Sequence, residues 1–389
     1  MPGRPSPSLR RLPTALVRCD PQNDERACGL LQMAFSVPPE LLYASYWYRS
    51  GTNGTMRAHL KEIADEAVGL VGHEKQMFAL DIGCNDGTLL EFYPSDFRKF
   101  GIDPCDIAAE VKLPIQVVRD FFPSNRLGEC TRMPFDIVTS IAMFYDLEDP
   151  VGFAREVKKV LAPEGVWIFE VAYMPTMLRN TGYDTICHEH IEYYHLAVLE
   201  KIMLLAGLKV VKASLNTTNG GSIRCVVTHD TVPKYDDPEN RQALAILRQA
   251  EFDLELDTDR PYRAFQGRAE IHREELRALL LGLKSEGKKI HLYGASTKGN
   301  TLLQWCGIDG RIVDCAADRN PEKYGCRTLG TEIPIVSEEQ SRAAKPDYYL
   351  VLPWHFKREF LERERAMIES GVGLIFPLPR IEIIKKTET

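Results

Sequence analysis

The apolar positions change their period along the chain. From Met77 onward, short apolar runs alternate with stretches of helical spacing. The runs MFALDIG, RKFGID, IQVVRDFF, FDIVTSIAMF and GVWIFEVAY predict five strands, and segments such as PVGFAREVKKVLAPEG predict the helices between them. Alternation of this kind predicts a parallel, doubly wound sheet, an α/β fold. A second series, KKIHLYGAS, RIVDCAAD, PDYYLVLP and GVGLIFPLP, predicts another α/β unit, with FKREFLERERAMIES as one of its helices. Between the two series, residues 238–286 are charged and helical in pattern, with apolar Leu244, Ile246, Leu247, Leu276, Leu279, Leu280 and Leu281. This stretch predicts a helical arm that carries the chain into the last unit.

The length of 389 residues suits two domains with a small extra module. An apolar share of 44% and a charged share of 26% fit a globular protein. The 48 Lys and Arg against 55 Asp and Glu leave a net charge of −7, so there is no basic field for nucleic acid or an anionic membrane. An anionic substrate must then be held by local donors. No apolar run approaches the ~20 residues of a membrane span. The opening MPGRPSPSLRRLP has no apolar core and is expected to be a loose tail rather than a secretion signal. The ten cysteines form no even framework and read as free thiols of a reducing compartment, so a cytoplasmic protein is expected.

The first candidate chemistry lies where the first strand ends, in Ala79-Leu80-Asp81-Ile82-Gly83-Cys84-Asn85-Asp86-Gly87. Gly83 lets the backbone approach a ligand closely. The turn lacks the GxGxxG spacing that seats a pyrophosphate and the Lys-Ser/Thr of a P-loop. Asp81 would repel phosphate and welcome an ammonium group, with Asn85 in the same turn. Asp103, at the tip of the second strand, is placed to hold a ribose diol. Asp120 and Phe121, after the third strand, suit an adenine amino group and its ring. An amino acid, a ribose and an adenine without phosphate make up S-adenosylmethionine. The competing reading is a generic Rossmann turn with unrelated acids.

The second lies in TICHEHIEYY. His188 and His190 would share a face only in a strand. With one Glu between them they supply at most two zinc ligands, too few for a site, so no metal is assigned. Proton transfer suits the triplet better, with a His as base and a carboxylate to hold its tautomer. Alone, HEH reads equally as a polar cluster at a helix start.

The third lies in YGASTKGN, where helix N-terminal amides beside Lys298 and Asn300 could hold a diphosphate or merely close a Rossmann-like layer. His355 follows another strand, where open sheets bind ligands and where core aromatics also occur.

TICHEHIEYY, LLAGLKVV, Asn219-Gly220-Gly221-Ser222-Ile223-Arg224, YWYRSGTNGTMR, YGASTKGNT and Asp318-Arg319-Asn320-Pro321 occur here in fixed order. In these motifs the chain resembles the sugar C-methyltransferases of deoxysugar biosynthesis over nearly its whole length. The resemblance implies a small N-terminal module (1–55), a central class I Rossmann-like methyltransferase domain that binds S-adenosylmethionine (56–205), and a C-terminal Rossmann-like domain with the helical arm (206–389). It implies methylation at C3 of a nucleotide-diphosphate 4-keto-6-deoxysugar. His190 would be the base and Glu189 would orient it. The family tyrosine that steadies the enolate falls on Cys187, so Tyr48, a water or His188 must serve instead. A histidine usual at the end of the fourth strand is replaced by Phe144 or Tyr145. Tyr46 and Tyr48 are expected at the cleft, and Asn219, Lys298, Asn300 and His355 at the substrate. Of the family's four zinc cysteines only Cys19 and Cys28 are found, so a shortened, metal-free remnant is expected. The partner is then a nucleotide sugar and the expected state a monomer. Two rivals stand beside this reading: O- or N-methylation of a related sugar or small metabolite, and a non-catalytic nucleotide-sugar-binding protein.

Overall fold

The structure is a computed structural model that describes residues 12–24, 26–43, 48–73, 76–112 and 114–386. Tyr46 and most of the expected loose tail lie outside the described residues. In chain order the strands are β1 (Leu16–Arg18), β2 (Leu31–Met33), β3 (Phe78–Ile82), β4 (Arg98–Ile102), β5 (Gln116–Val118), β6 (Phe135–Ile141), β7 (Leu161–Ala172) and β8 (Glu192–Tyr193). They continue as β9 (Leu208–Asn216), β10 (Ser222–His229), β11 (Ile290–Tyr293), β12 (Ala316–Asp318), β13 (Ile335–Ser337), β14 (Tyr348–Val351), β15 (Gly373–Phe376) and β16 (Glu382–Ile384).

The central sheet has the order β5-β4-β3-β6-β7-β10-β9, with β3 to β7 parallel and β10 antiparallel to both of its neighbours. The second sheet, β13-β12-β11-β14-β15-β16, is parallel except for β16. The five strands expected in the first series are β3 to β7; the four expected in the second are β11, β12, β14 and β15. β9 and β10 lie after residue 205, inside the segment expected to form the last unit, yet they complete the central sheet. Their turn, Thr218–Gly220, carries Asn219 to the sheet's edge. β1, β2 and β8 make a third, small sheet that ties the N-terminal segment to the residues after the HEH triplet.

Helices cover both sheets for reasons visible in their sequences. Gly54–Val71 starts at Asn53, whose side chain accepts from the Thr55 amide, and buries Met56, Leu60, Ile63, Ala64 and Ala67 along one stripe. Pro150–Val160 has Pro at its first turn and Asp149 as cap, and buries Phe153, Ala154 and Val157. The expected arm is two helices, Pro238–Asp253 and Arg260–Ser285. The longer one buries Phe265, Ala269, His272, Leu276, Leu280 and Leu283 against the second sheet, while Leu281 faces out. FKREFLERERAMIES is not one helix but two short ones, Lys357–Arg363 and Arg365–Glu369. The break is at Glu364, only 3% exposed, which turns inward to Arg342 at 2.9 Å. No helix among the described residues is long and apolar enough to cross a membrane.

Candidate active site

The carboxyl ends of the parallel strands in both large sheets open onto one cavity of about 1060 Å³. Ligands of open α/β sheets bind at this end.

On the central-sheet side, Asp81 ends β3 and accepts from the Thr139 hydroxyl of β6 at 2.7 Å. Burial raises its carboxyl to about 7, and Asp103 and Asp86 add repulsion. A buried acid on a cavity wall, with its charge uncompensated, fits a cationic group. Gly83 has φ +77°, and a Cβ there would lie 3.2 Å from the Met143 side chain. The turn is therefore a cradle that a larger residue would fill. Asp103 accepts from the Asn85 and Cys105 amides, both at 2.9 Å, which fixes the turn and leaves each oxygen further lone pairs. The Asn85 side chain donates to the Tyr48 carbonyl at 2.9 Å and accepts from the Ser50 amide at 3.0 Å. It thereby fastens the segment carrying Tyr48 over the turn. Asp120 accepts from the Ser124 hydroxyl, which lowers its pKa, and from the Phe121 amide. Asp81, Gly83, Asn85, Asp103, Asp120 and Phe121 all line the cavity. These residues fit an adenosyl amino acid: a carboxylate for its ammonium, a strand-end acid for its ribose, and an exposed ring for its base.

At the centre, residues 187–190 form a turn closed by the His190 amide on the Cys187 carbonyl at 3.0 Å. His190 Nδ1 lies 3.0 Å from both the Thr185 carbonyl and the Thr185 hydroxyl; donation to the carbonyl, an acceptor only, puts the proton on Nδ1 and leaves Nε2 a lone pair. Tyr145 packs edge-on against the ring at 4.5 Å. Burial, with the Lys298 ammonium nearby, pushes the imidazole down to about 3, so it is neutral at physiological pH. Glu189 does not orient it. Its carboxyl accepts from Thr297 at 3.1 Å, and its carbonyl accepts from the Tyr43 phenol at 3.1 Å. The orienting group for His190 is Thr185. His188 leaves the cavity altogether; its Nε2 lies 3.2 Å from the Pro13 carbonyl. The expectation that His188 and His190 share a face required a strand, and the segment is a turn. Cys187 lines the cavity with its thiol raised to about 12 by burial and the Glu189 charge.

On the second-sheet side, Ser296 caps the helix Thr297–Cys306 through the Gly299 amide. Lys298 donates to the Asn219 carbonyl at 3.1 Å, which joins this helix to the β9–β10 turn. Asn300 is 7% exposed, and its buried Oδ1 has no protein partner. His355 Nδ1 is also buried and unpartnered, and burial beside Lys298 lowers that ring to about 3. Asn219, Lys298, Asn300 and His355 line the cavity, as does Tyr48 from the central-sheet side.

Sequence reasoning missed several lining residues. His59, on the helix Gly54–Val71, meets Glu170 of β7 at 2.6 Å, and Glu170 also takes Arg224 at 3.0 Å. Tyr43 and Asp146 line the cavity beside Glu189. The fourth-strand replacement drew attention to Phe144 and Tyr145; Phe144 is wholly buried in the core, and Asp146 is the next carboxyl along. At the N-terminal module, the Cys28 amide donates to the Cys19 sulfur at 3.3 Å. Two thiols do not fit a four-ligand structural zinc site, and among the described residues no group of three or more metal-ligating side chains converges.

The chain matches known protein families across most of its length. Residues 52–213 match the family described as a methyltransferase domain, and residues 217–379 match the C-methyltransferase C-terminal domain. The chain is 31% identical to the C-methyltransferase NovU of Streptomyces niveus over 370 residues, 94% of this chain and 87% of that one. Among solved structures, an S-adenosylmethionine-dependent methyltransferase from Clostridium acetobutylicum aligns with 44% of this chain and 92% of its own, at 14% identity and a TM-score of 0.35. Magnesium protoporphyrin IX methyltransferase from Synechocystis, with bound SAH, aligns with 47% of this chain and 90% of its own, at 12% identity and a TM-score of 0.37.

Proposed function

The chain belongs to the S-adenosylmethionine-dependent C-methyltransferase family, and from that premise we propose that it methylates C3 of a nucleotide-diphosphate 4-keto-deoxysugar. One observation carries the reading. A neutral imidazole, with Nδ1–H held by Thr185 and Nε2 free to accept, lies in a cavity with carboxylates on one side and Lys298 on the other.

A ketone at C4 acidifies the hydrogen on C3. His190 Nε2 takes that proton, and the C–H electron pair moves onto the C4 oxygen. Thr185 keeps the ring in the tautomer that can do so. Asp81 would receive the ammonium of the methyl donor, Asp103 its ribose, and Asp120 with Phe121 its adenine. When bound, the donor supplies an electrophilic methyl group that the C3 electron pair captures as the sulfur–methyl bond breaks. Lys298, with Asn219, Asn300 and His355, faces the anionic and sugar parts of the substrate. Tyr48, whose carbonyl Asn85 holds, would cover the cleft. Glu189 links the turn bearing His190 to the helix bearing Lys298 through Thr297. Most of the rate gain would come from holding base, carbon and methyl in line.

The test is substrate deuterated beside the ketone, assayed with labelled methyl donor. Loss of deuterium from C3 with methylation at that carbon is expected. Methylation with the C3 deuterium retained would overturn the reading in favour of O- or N-methylation, and loss from C5 instead would move the site to the other flank of the ketone. Binding of the sugar with no methyl transfer to any of a panel of 4-keto nucleotide sugars would favour a non-catalytic binder.

A further inference from the structure

A charge that develops on the C4 oxygen needs a hydrogen-bond donor close to the base. Cys187 stands where the family places a phenol, and a thiol is a weak donor. His188 is turned to Pro13 and cannot serve. The residue that meets the requirement is one that no motif singled out.

Asp146 ends the single helical turn Phe144–Asp146 that follows β6, at the carboxyl edge of the central sheet. It lines the cavity. Its neighbour Tyr145 packs on the His190 ring at 4.5 Å, and the Tyr145 carbonyl accepts from the Ile191 amide at 3.1 Å, so Asp146 is held alongside the base by two contacts one residue away. Its Oδ1 is buried with no partner. The Tyr43 phenol bonds the carboxyl and also donates to the Glu189 carbonyl at 3.1 Å. The carboxyl oxygen without a protein partner is therefore the one that can carry a proton toward a ligand.

We propose that Asp146 is a catalytic residue that donates a hydrogen bond, as a neutral carboxylic acid, to the C4 oxygen while His190 removes the neighbouring proton. This inference rests on the enolisation reading above. Burial holds the Asp146 carboxyl well above the ordinary carboxylate range; Glu189 and Glu192 add to the effect and the Tyr43 bond opposes it. A carboxyl kept protonated in this way can stabilise an oxyanion as a phenol does. The acid proton stays on Asp146 throughout. The C–H electrons reach the C4 oxygen, are held there by the hydrogen bond, and return to carbon as the methyl arrives. The group lost at Cys187 is thus replaced from a different strand end.

The experiment is exchange of the hydrogen beside the ketone with solvent deuterium, run with S-adenosylhomocysteine in place of the methyl donor so that enolisation is read alone. Asp146→Leu is expected to slow both exchange and methyl transfer by about 100- to 1000-fold, the usual cost of one oxyanion donor, with calorimetric S-adenosylhomocysteine affinity unchanged. Asp146→Asn, neutral and still a donor, is expected to stay within about tenfold of the native rate, since a neutral amide donor replaces a neutral acid donor. An Asp146→Leu protein that exchanges at the native rate would overturn the inference. So would an Asp146→Asn protein that binds S-adenosylhomocysteine normally yet loses more than about 100-fold, because the carboxylate would then be acting as an anion. If Asp146→Leu does not fold, Asp146→Ala gives the same reading. Absence of exchange in the native enzyme would instead overturn the enolisation reading, and the inference with it.

Discussion

The two α/β units use one backbone device and give it opposite charge. In each, the first strand runs into a glycine with positive φ, Gly83 at +77° and Gly294 at +81°. In each, an aspartate at the end of the next strand gathers the amides of the turn. Asp103 accepts from Asn85 and Cys105, and Asp318 accepts from Ala295 and Asn320, all four bonds at 2.8–2.9 Å. The difference lies in what surrounds them. Asp103 sits among Asp81, Asp86 and Asp120. Asp318 takes the Lys323 ammonium at 3.0 Å, with Lys298 and Arg319 on the same wall. On the proposed reading, one seat takes a ligand that carries an ammonium and the other a ligand that carries phosphates. The fold supplies the frame, and the side chains around an almost identical aspartate decide the guest.

The comparison is tested hardest at the point where both guests meet. His190→Gln is expected to lower turnover by about 1000-fold, within the range for a general base, while calorimetry shows both ligands bound as before. Equal loss of binding would mean that the imidazole belongs to a seat and not to the chemistry. Next in size, Lys298→Ala is expected to raise KM for the nucleotide sugar by about 10- to 100-fold, the scale of one charge-assisted hydrogen bond, and to leave affinity for the methyl donor alone.

Asp81 gives a pH signature to one seat only. Its folded-state pKa is raised to about 7, so the charged form that would attract an ammonium dominates above that pH and is lost below it. Affinity for S-adenosylmethionine is therefore expected to weaken as pH falls below about 7, by at most about tenfold per unit for one linked proton. Asp81→Asn should weaken binding at pH 8 and flatten this dependence. A native profile flat from pH 8 to 5.5 would count against the assignment. The smallest effect is on the two glycines. Gly83→Ala and Gly294→Ala should each cost about 1–2 kcal/mol of stability in denaturant titration, since both need left-handed backbone. Only the first should also weaken the methyl donor.

What could be read in the sequence was what short stretches determine. Five strands announce themselves by their apolar runs, and the acids at the ends of the first three, Asp81, Asp103 and Asp120, all reach the cavity. His190 was legible because the motif around it is contiguous. The short strands β1, β2 and β8 lie outside the two alternating series, so no regular pattern marks them. β9 and β10 were not assigned to a sheet because a hairpin's partner is a tertiary fact. His188 was offered in place of the family tyrosine because it adjoins Cys187 in sequence, and the turn sends its ring to the Pro13 carbonyl instead. Asp146 was invisible for a different reason. Tyr43, Glu189 and Glu192, which set its state, come from segments far from it in sequence.

The hydrogen bond between Glu189 and Thr297 spans 108 positions of chain and joins the loop that presents the base to the helix that presents the lysine. Prising the two halves apart would displace the imidazole as well as the sugar seat. A fragment holding only the central sheet could still take up its adenosyl ligand and would nonetheless be chemically silent, its base adrift on an unbraced loop.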